Sequence, residues 1–265
     1  MTDEPGNKDE EEQEEQLAEG TLLSHLMELR TRLIKISIAV VGMFVILLPF
    51  SQKIFVVVSK PLVDVLPGQK MIATAVASPL LTPFKLTFFV ALFAAMPVVL
   101  YQVWAFVAPG LYKKEKRFAF PLLGTSIVLF YAGIAFAYFV VFELVFGFFA
   151  SVTPQSVEMM TDIAAYLDFI TKIFLAFGLA FEVPVATVLI VWTGLTTPEK
   201  LGKARPYVFL SAFIVGMFLT PPDVISQTLL AVPVYLLYEL GIIMSRIFSR
   251  DRRRDAAKTA TEDAN

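Results

Sequence analysis

Residues 207–245 read YVFLSAFIVGMFLTPPDVISQTLLAVPVYLLYELGIIMS, an apolar stretch that is divided once, at Thr220-Pro221-Pro222-Asp223. Two adjacent prolines remove two backbone donors, and the ring of the first clashes with the preceding helical turn. One kinked helix over 207–245 would also be about twice as long as a bilayer core of about 30 Å requires. We therefore predict two membrane spans joined by a hairpin turn.

Four further stretches are long and apolar enough to cross a bilayer. With the two above, the predicted spans are Leu33–Phe50, Leu86–Ala108, Leu122–Phe146, Phe169–Trp192, Tyr207–Leu219 and Val224–Ser245. The apolar fraction of 57% exceeds the about 45–50% of soluble domains. The fifth span is short, because about 13 residues reach only about 20 Å. The sequence thus predicts an all-α polytopic membrane protein with six transmembrane helices.

The basic residues predict the orientation of these spans. Of the 22 lysines and arginines, 17 lie in or beside the segments 1–32, 109–121, 193–206 and 246–265, on the side of the N-terminus. The positive-inside rule therefore places both termini in the cytoplasm. External segments 51–85 and 147–168 each contain an amphipathic stretch, Ile54–Val58 and Val157–Leu167, and are expected to form short interfacial helices.

Charge also divides the chain into a central domain and two tails. Residues 1–20 hold nine acids and one base, which predicts a disordered acidic cytoplasmic tail. Residues 21–246 form the predicted six-span transmembrane domain. Residues 247–265 are basic and then polar, and form a second cytoplasmic tail.

Carboxylates within apolar spans are costly and are candidates for function. Glu182 is the sharpest candidate, because it lies mid-span and Pro184 frees a backbone carbonyl beside it. Glu143 and Glu239 lie near span ends, where their side chains are expected to reach lipid headgroups. Gln227 fits internal packing and contact with a partner helix about equally well. With one histidine and no cysteine, neither a metal site nor a catalytic residue is expected, and no cofactor motif is present.

Two cytoplasmic segments carry acids among bases. Leucines at helical spacing over 22–33 predict an amphipathic helix leading into the first span. On it, Glu28 and Arg32 form an i,i+4 pair, expected on an exposed face and worth a few tenths of a kcal/mol. Glu115 is the single acid within the basic run of residues 113–117. An ordinary interfacial anchor and a solvated positive loop are the simplest interpretations of these two segments.

Several motifs occur together and in order along the chain. They are Ser24–Leu33, Met71–Thr74, Ala77–Pro79, Tyr101–Tyr112, Phe181–Pro184 and Leu219–Asp223. On these residues the sequence resembles the TatC family, the signal-receptor subunits of twin-arginine translocases. The resemblance extends from about Leu22 to Arg246.

The resemblance implies a six-span bundle shaped as a cupped palm in the bacterial cytoplasmic (inner) membrane. It implies a signal-peptide receptor and core subunit of a translocase that exports folded proteins, driven by the proton-motive force rather than by enzymatic nucleotide hydrolysis. The implied partners are TatA-like and TatB-like small membrane subunits, twin-arginine signal peptides of folded cargo and further copies of the chain. No nucleic acid is implied.

The resemblance also implies roles for particular residues. Glu28 and Glu115 would recognise the paired arginines, since a carboxylate can accept two parallel hydrogen bonds from a guanidinium. The surrounding recognition region would contain Arg30, Leu33 and Phe106. Glu182 would face the concave groove, and the residues implied in partner-helix docking are Glu182, Met217, Thr220 and Gln227. Pro61 would support a cap-like external loop.

Two other functions are compatible with the span pattern. A proton-coupled secondary transporter would use Glu182, although the internal repeat typical of many transporters is not visible. A structural scaffold for other membrane helices would use Glu182 and Gln227 without binding a signal peptide.

Overall fold

The structure is a computed structural model that describes residues 6–65, 71–107, 116–154, 160–220 and 223–262, with side chains over 26–64, 71–106, 121–154, 160–220 and 223–248. Within these ranges the regular structure is helical, apart from one parallel bridge between Ile72 and Asp162. The helices are α1 (Gly6–Leu47), α2 (Ser51–Val65), α3 (Ser78–Ala94), α4 (Met96–Val107), α5 (Lys116–Phe136), α6 (Phe142–Val152), α7 (Ile163–Ala180), α8 (Val183–Trp192), α9 (Pro198–Lys203), α10 (Arg205–Leu219) and α11 (Val224–Glu262).

The helices account for all six predicted stretches. Those long and apolar enough to cross a membrane are Leu26–Asp64, Pro121–Val152, Ile163–Trp192 and Val224–Phe248. A fifth crossing is α3 followed by α4, bent by 49°, and the sixth stretch is the shorter apolar helix α10. The chain is therefore an all-helical, multi-pass membrane protein.

The first and last helices extend into the two predicted tails. Helix α1 begins at Gly6 and so includes most of the acidic segment 1–20, while α11 continues to Glu262 through the basic segment. Glutamate, glutamine and lysine are good helix formers, so such segments can be helical without burial. The division into a membrane domain and two tails stays a prediction.

The hairpin predicted at the two prolines separates α10 from α11. Helix α10 ends at Leu219 and α11 begins at Val224. Asp223 Oδ1 accepts a hydrogen bond from the Ser226 amide at 2.7 Å, which satisfies one of the free donors of the first turn. The aspartate of the motif thus starts the last helix.

The bend between α3 and α4 follows from Pro97, which lacks the N–H that would bond to the Phe93 carbonyl. The Tyr131 hydroxyl of α5 donates to the Phe93 carbonyl at 3.1 Å instead, and also lies 3.4 Å from the Ala94 carbonyl. A tyrosine from a neighbouring helix therefore replaces the donor that the proline lacks. The sequence analysis expected a single uninterrupted second span and missed this bend.

A second tyrosine does the same at Pro61, inside α2. Pro61 cannot donate to Val57, and the Tyr138 hydroxyl donates to the Val57 carbonyl at 2.9 Å. Tyr138 lies in a π-helical turn, Ala137–Val141, between α5 and α6. Helix α2 is thus hydrogen-bonded to the third span at the carbonyl that its proline leaves free, which is compatible with the structural role predicted for Pro61.

The core joins α5, α6 and α7. Phe130, Phe142 and Phe177 are fully buried there. Gly133 and Gly178 bring α5 and α7 close together: a Cβ on Gly133 would lie 2.5 Å from the Phe177 carbonyl oxygen, and one on Gly178 would lie 2.6 Å from Phe130. Small residues allow this approach, as in other membrane helix pairs.

Asp162 fixes the start of α7. Its side chain accepts from the amides of Ala164 and Ala165 and from both the amide and the hydroxyl of Thr74. The hydrogen bonds from the Ala165 amide, followed by those from Thr74, lower the pKa of Asp162 to about 2. The motif Met71–Thr74 is thereby held beside the start of the fourth span.

Of the two stretches predicted to form short interfacial helices, only one forms a helix of its own in the described residues. Helix α2 covers the stretch Ile54–Val58, as expected. In the described part of 147–168, however, α6 ends at Val152 and the next helix is α7 itself, beginning at Ile163. The separate helix predicted over Val157–Leu167 is wrong in its described residues, because Asp162 starts the spanning helix there.

Candidate functional site

The predicted recognition region begins with an ion pair on α1. Arg32 Nε and Nη2 both donate to Glu28 Oε1, at 3.0 and 2.5 Å. The side chains are 18% exposed for Arg32 and 36% for Glu28, so the expectation of a pair on an exposed face is wrong. The pair is shielded because α1 packs against α4 at this level.

Arg32 also connects α1 to α4. Its Nη1 donates to Gln102 Oε1 at 3.3 Å, and its Nη2 donates to the Ala105 carbonyl at 2.9 Å. Gln102 is buried. The guanidinium therefore holds Glu28 on one side and the last turns of α4 on the other. The sequence analysis missed Arg32 as a member of the site, although its spacing from Glu28 was the available signal.

The other predicted recognition residues differ in their exposure, and one of them is not described. Arg30 and Leu33 are exposed on α1, and Phe106 is half-buried near the end of α4. Glu115, predicted as the second arginine-binding acid, lies outside the described residues. The structure thus brings Glu28 near the α4 segment that carries Phe106 and leaves the second acid of the pair as a prediction.

Glu182 occupies an interruption of the fourth span. Helix α7 ends at Ala180 and α8 begins at Val183, because Pro184 cannot donate to the Ala180 carbonyl. The Glu182 carboxylate is half-buried and faces the Ser126 hydroxyl of α5, while its Oε1 is buried without a hydrogen-bond partner. An incompletely bonded carboxyl within a span is costly, and such groups mark functional sites.

Ser126 connects Glu182 to α4. The Trp104 indole N–H donates to Ser126 Oγ at 3.3 Å, and both side chains are buried. Trp104 also packs against Leu123 of α5 and Val185 of α8. The α4 segment 102–105 therefore contacts Arg32 with one set of groups and the neighbour of Glu182 with another.

The predicted docking residues of the α10–α11 hairpin are partly used inside it. Gln227 Nε2 donates to the Phe213 carbonyl at 2.5 Å, and its side chain packs on Gly216. The buried Thr220 hydroxyl donates to the Gly216 carbonyl at 3.0 Å. Met217, in contrast, is 48% exposed. Gln227 therefore makes its contacts inside the hairpin. Glu182, the fourth predicted docking residue, lies elsewhere, at the α7–α8 break beside α5.

Glu239 has a structural partner that the sequence analysis did not identify. Arg205 Nε and Nη2 donate to Glu239 Oε1 and Oε2 at 2.6 and 2.7 Å, and the Tyr235 hydroxyl donates to Oε1 at 3.0 Å. The expectation that Glu239 reaches lipid headgroups is wrong, because Arg205 at the start of α10 lies within reach. This bidentate pair fixes the start of α10 to α11.

These features define a helical, multi-pass membrane protein with a part-buried acid–arginine pair at one end and a polar break inside one span. The family model of the Sec-independent protein translocase protein (TatC) matches residues 24–233. The chain is 58% identical over 235 residues to the TatC of Azotobacter chroococcum mcd 1, covering 88% of this chain and 91% of the relative. It is 56% identical over 236 residues to the TatC of Escherichia coli strain K12, covering 88% and 92%.

A solved structure agrees with the sequence relatives. The crystal structure of a twin arginine translocase receptor, TatC, superposes with a TM-score of 0.77 at 36% identity, covering 84% of this chain and 98% of that one. The chain belongs to the TatC family of Sec-independent protein translocase proteins.

Proposed function

We propose that this chain is the receptor for twin-arginine signal peptides and the core subunit of a translocase that exports folded proteins. The observation that carries the proposal is Glu28, an acid on the entry helix that is held in place and remains partly accessible. The solved relative is named a twin arginine translocase receptor. Family membership favours this function over a secondary transporter or a plain scaffold.

The geometry supports exchange of one guanidinium for another. Both bonds that Arg32 makes to Glu28 end on Oε1, so Oε2 receives no hydrogen bond from Arg32. An arriving arginine can pair with Oε2, or replace Arg32 while Arg32 keeps its bonds to Gln102 and Ala105. Glu115 would take the second arginine of the signal.

Location, partners and energy source follow from this receptor role. The protein lies in the bacterial cytoplasmic membrane with both termini in the cytoplasm, in accord with the positive-inside rule. It works with TatA-like and TatB-like subunits and with other copies of itself, under the proton-motive force and without catalysis by this chain. The exposed Met217 and the carboxyl group of Glu182 contact partner helices, while Thr220 and Gln227 shape the hairpin that carries Met217.

Site-specific photocrosslinking to a twin-arginine signal peptide tests the proposal. We expect Glu28→Gln and Glu115→Gln each to weaken crosslinking about tenfold, the effect of losing one charge-assisted hydrogen-bonded pair. A peptide with two lysines in place of the arginines is the ligand control. Membrane insertion of the variants should be unchanged.

Arg32→Gln separates recognition from mere structure. If Glu28 serves only to hold Arg32, the two variants Glu28→Gln and Arg32→Gln will lose signal-peptide binding equally. If Glu28 recognises the signal, the Arg32→Gln variant will bind the signal peptide more strongly than the Glu28→Gln variant, because the Glu28 carboxylate is then free of Arg32. Normal binding by the double variant Glu28→Gln/Glu115→Gln would refute the proposal.

A further inference from the structure

Glu28 is paired in this structure with an arginine of its own helix. The Nε and Nη2 atoms of Arg32 donate to Glu28 Oε1 at 3.0 and 2.5 Å. A guanidinium donating to a carboxylate is also the contact by which Glu28 would hold an arginine of a signal peptide. Arg32 therefore occupies the carboxylate with the same chemical group that the receptor is proposed to recognise.

Arg32 has a second set of acceptors, and these lie on α4. Its Nη1 donates to Gln102 Oε1 at 3.3 Å, and its Nη2 donates to the Ala105 carbonyl at 2.9 Å as well as to Glu28. The Gln102 side chain is buried. The guanidinium is thus shared between one charged acceptor on α1 and two neutral acceptors on α4.

This sharing lets Arg32 leave Glu28 without losing every partner. When the carboxylate is taken by another cation, Nη1 and Nη2 keep their acceptors on α4. The Gln102 bond is longer than the about 2.9–3.0 Å typical of an N–H···O bond, so it has room to shorten once Glu28 no longer holds the other side of the fork. Gln102 therefore stabilises a displaced Arg32 more than a paired one.

The exchange favours an incoming arginine. An arginine returns to Glu28 the planar, forked donor that Arg32 gives up, so the bonds lost and gained are alike. A lysine ammonium is a point charge without that fork and returns less than is lost. A cation that pairs with Glu28 more weakly than Arg32 does leaves the resident pair in place.

We propose that Arg32 is an autoinhibitory residue, an internal competitor that holds Glu28 until a signal arginine replaces it. The inference rests on the proposed receptor function and adds a resting, self-occupied state to it. The displaced Arg32 stays on α4, bonded to Gln102 and the Ala105 carbonyl. The measured affinity for a signal peptide is then lower than that of a free Glu28, in proportion to the fraction of receptor in which Glu28 is unpaired.

The two ends of the Arg32 contact should consequently have opposite effects on binding. Removing the competitor frees Glu28 and should tighten signal-peptide binding. Removing Gln102 takes a partner from the displaced arginine and should weaken binding. If Arg32 and Gln102 served only to join α1 to α4, the loss of either would weaken binding or leave it unchanged.

Fluorescence anisotropy of a labelled twin-arginine signal peptide, titrated with the full-length protein in detergent micelles, tests this. We expect Arg32→Gln to bind about tenfold more tightly than the wild type, the effect of removing one competing charge-assisted pair. Gln102→Met, which keeps the size of the side chain, should bind about threefold more weakly. In the Arg32→Gln background, Gln102→Met should have no effect, because there is no arginine left to hold.

Two further variants separate competition from charge and from folding. Lys35→Gln removes an exposed positive charge about one turn beyond Arg32 on α1 and should leave the affinity unchanged. Arg32→Lys keeps the charge but lacks the planar fork, so it should bind about threefold more tightly than the wild type. Thermal unfolding of each variant shows whether α1 and α4 remain packed.

Three results would overturn the proposal. The first is binding no tighter than that of the wild type by both Arg32→Gln and Arg32→Lys. The second is an equal tightening by Lys35→Gln, since the effect would then be one of overall charge. The third is a loss of affinity in Gln102→Met that persists in the Arg32→Gln background. Failure of the receptor function itself gives a different result, in which Glu28→Gln binds the peptide as the wild type does.

Discussion

Tyr138→Phe removes one hydroxyl from the junction between the third span and helix α2, and leaves the aromatic ring in place. That hydroxyl donates to the Val57 carbonyl at 2.9 Å, across 81 positions of sequence. Val57 is the residue whose helical partner would be Pro61, which has no N–H. Without Tyr138 the carbonyl therefore has no backbone donor at the i+4 position.

The magnitude follows from that missing donor. Removing one partner of a hydrogen bond and leaving the other unsatisfied costs about 1–3 kcal/mol. Because Val57 is 60% exposed, a value at the lower end is appropriate. We expect Tyr138→Phe to reduce the free energy of unfolding by about 1–2 kcal/mol.

A double-mutant cycle with Pro61→Ala identifies the cause. An alanine at 61 restores an N–H four residues after Val57, so the carbonyl regains a helical partner. In that background Tyr138→Phe should cost less than about 0.5 kcal/mol, giving a coupling energy of about 1 kcal/mol. Tyr131→Phe is the matched control, because Tyr131 compensates for Pro97 and should be additive with Pro61→Ala.

Reversible unfolding of the purified protein in mixed micelles, titrated with SDS and followed by tryptophan fluorescence, measures these energies. An equal cost of Tyr138→Phe with proline or alanine at 61 would refute the reasoning. A coupling of Tyr131→Phe with Pro61→Ala as large as that of Tyr138→Phe would also refute it, because the effect would then not be local to the proline.

Two more perturbations test the packing of α5 against α7 and the hydrogen bonds of Asp162 at the start of α7. Gly133→Ala should be about 1–3 kcal/mol less stable than Gly124→Ala in the same SDS titration. Both variants gain the same helix propensity, but only Gly133→Ala drives a Cβ against the Phe177 carbonyl. Equal stabilities of the two variants would contradict this prediction. The folded-state pKa of Asp162 is about 2, below its ordinary value of about 3.9, so its contribution is present above that ordinary value and is lost as the pH falls through about 2. Wild-type stability should therefore fall relative to Asp162→Asn between about pH 4 and pH 2, and parallel pH profiles would contradict this.

The parts of the fold that were predictable from sequence are those set by local chemistry. The hairpin before Val224 follows from two prolines and an aspartate, and the interruption at Glu182 follows from Pro184. Apolar length gave the positions of the spans. Each of these features depends on residues within a few positions of one another, so the sequence pattern contains the whole cause.

The features that were missed depend on partners far away in sequence. Pro97 is visible in the sequence, but the donor that makes its bend stable is Tyr131, 38 positions from the Phe93 carbonyl that it bonds. The Glu28–Arg32 spacing predicted the ion pair, yet not its shielding, because Gln102 lies 70 positions from Arg32. Hydropathy cannot indicate which helices are neighbours, and the neighbours decide burial.

One such neighbour, α4, joins the two halves of the predicted site. Its Gln102 side chain and its Ala105 carbonyl hold the arginine that pairs with Glu28. One turn of the same helix places Trp104 against Ser126, the hydroxyl that faces Glu182. A signal peptide that draws Glu28 away from Arg32 would leave the guanidinium bonded to α4 alone, through Gln102 and the Ala105 carbonyl. Since the Glu182 Oε1 is buried without a partner, a small shift of Ser126 changes the environment of a carboxyl group that already lacks full hydrogen bonding.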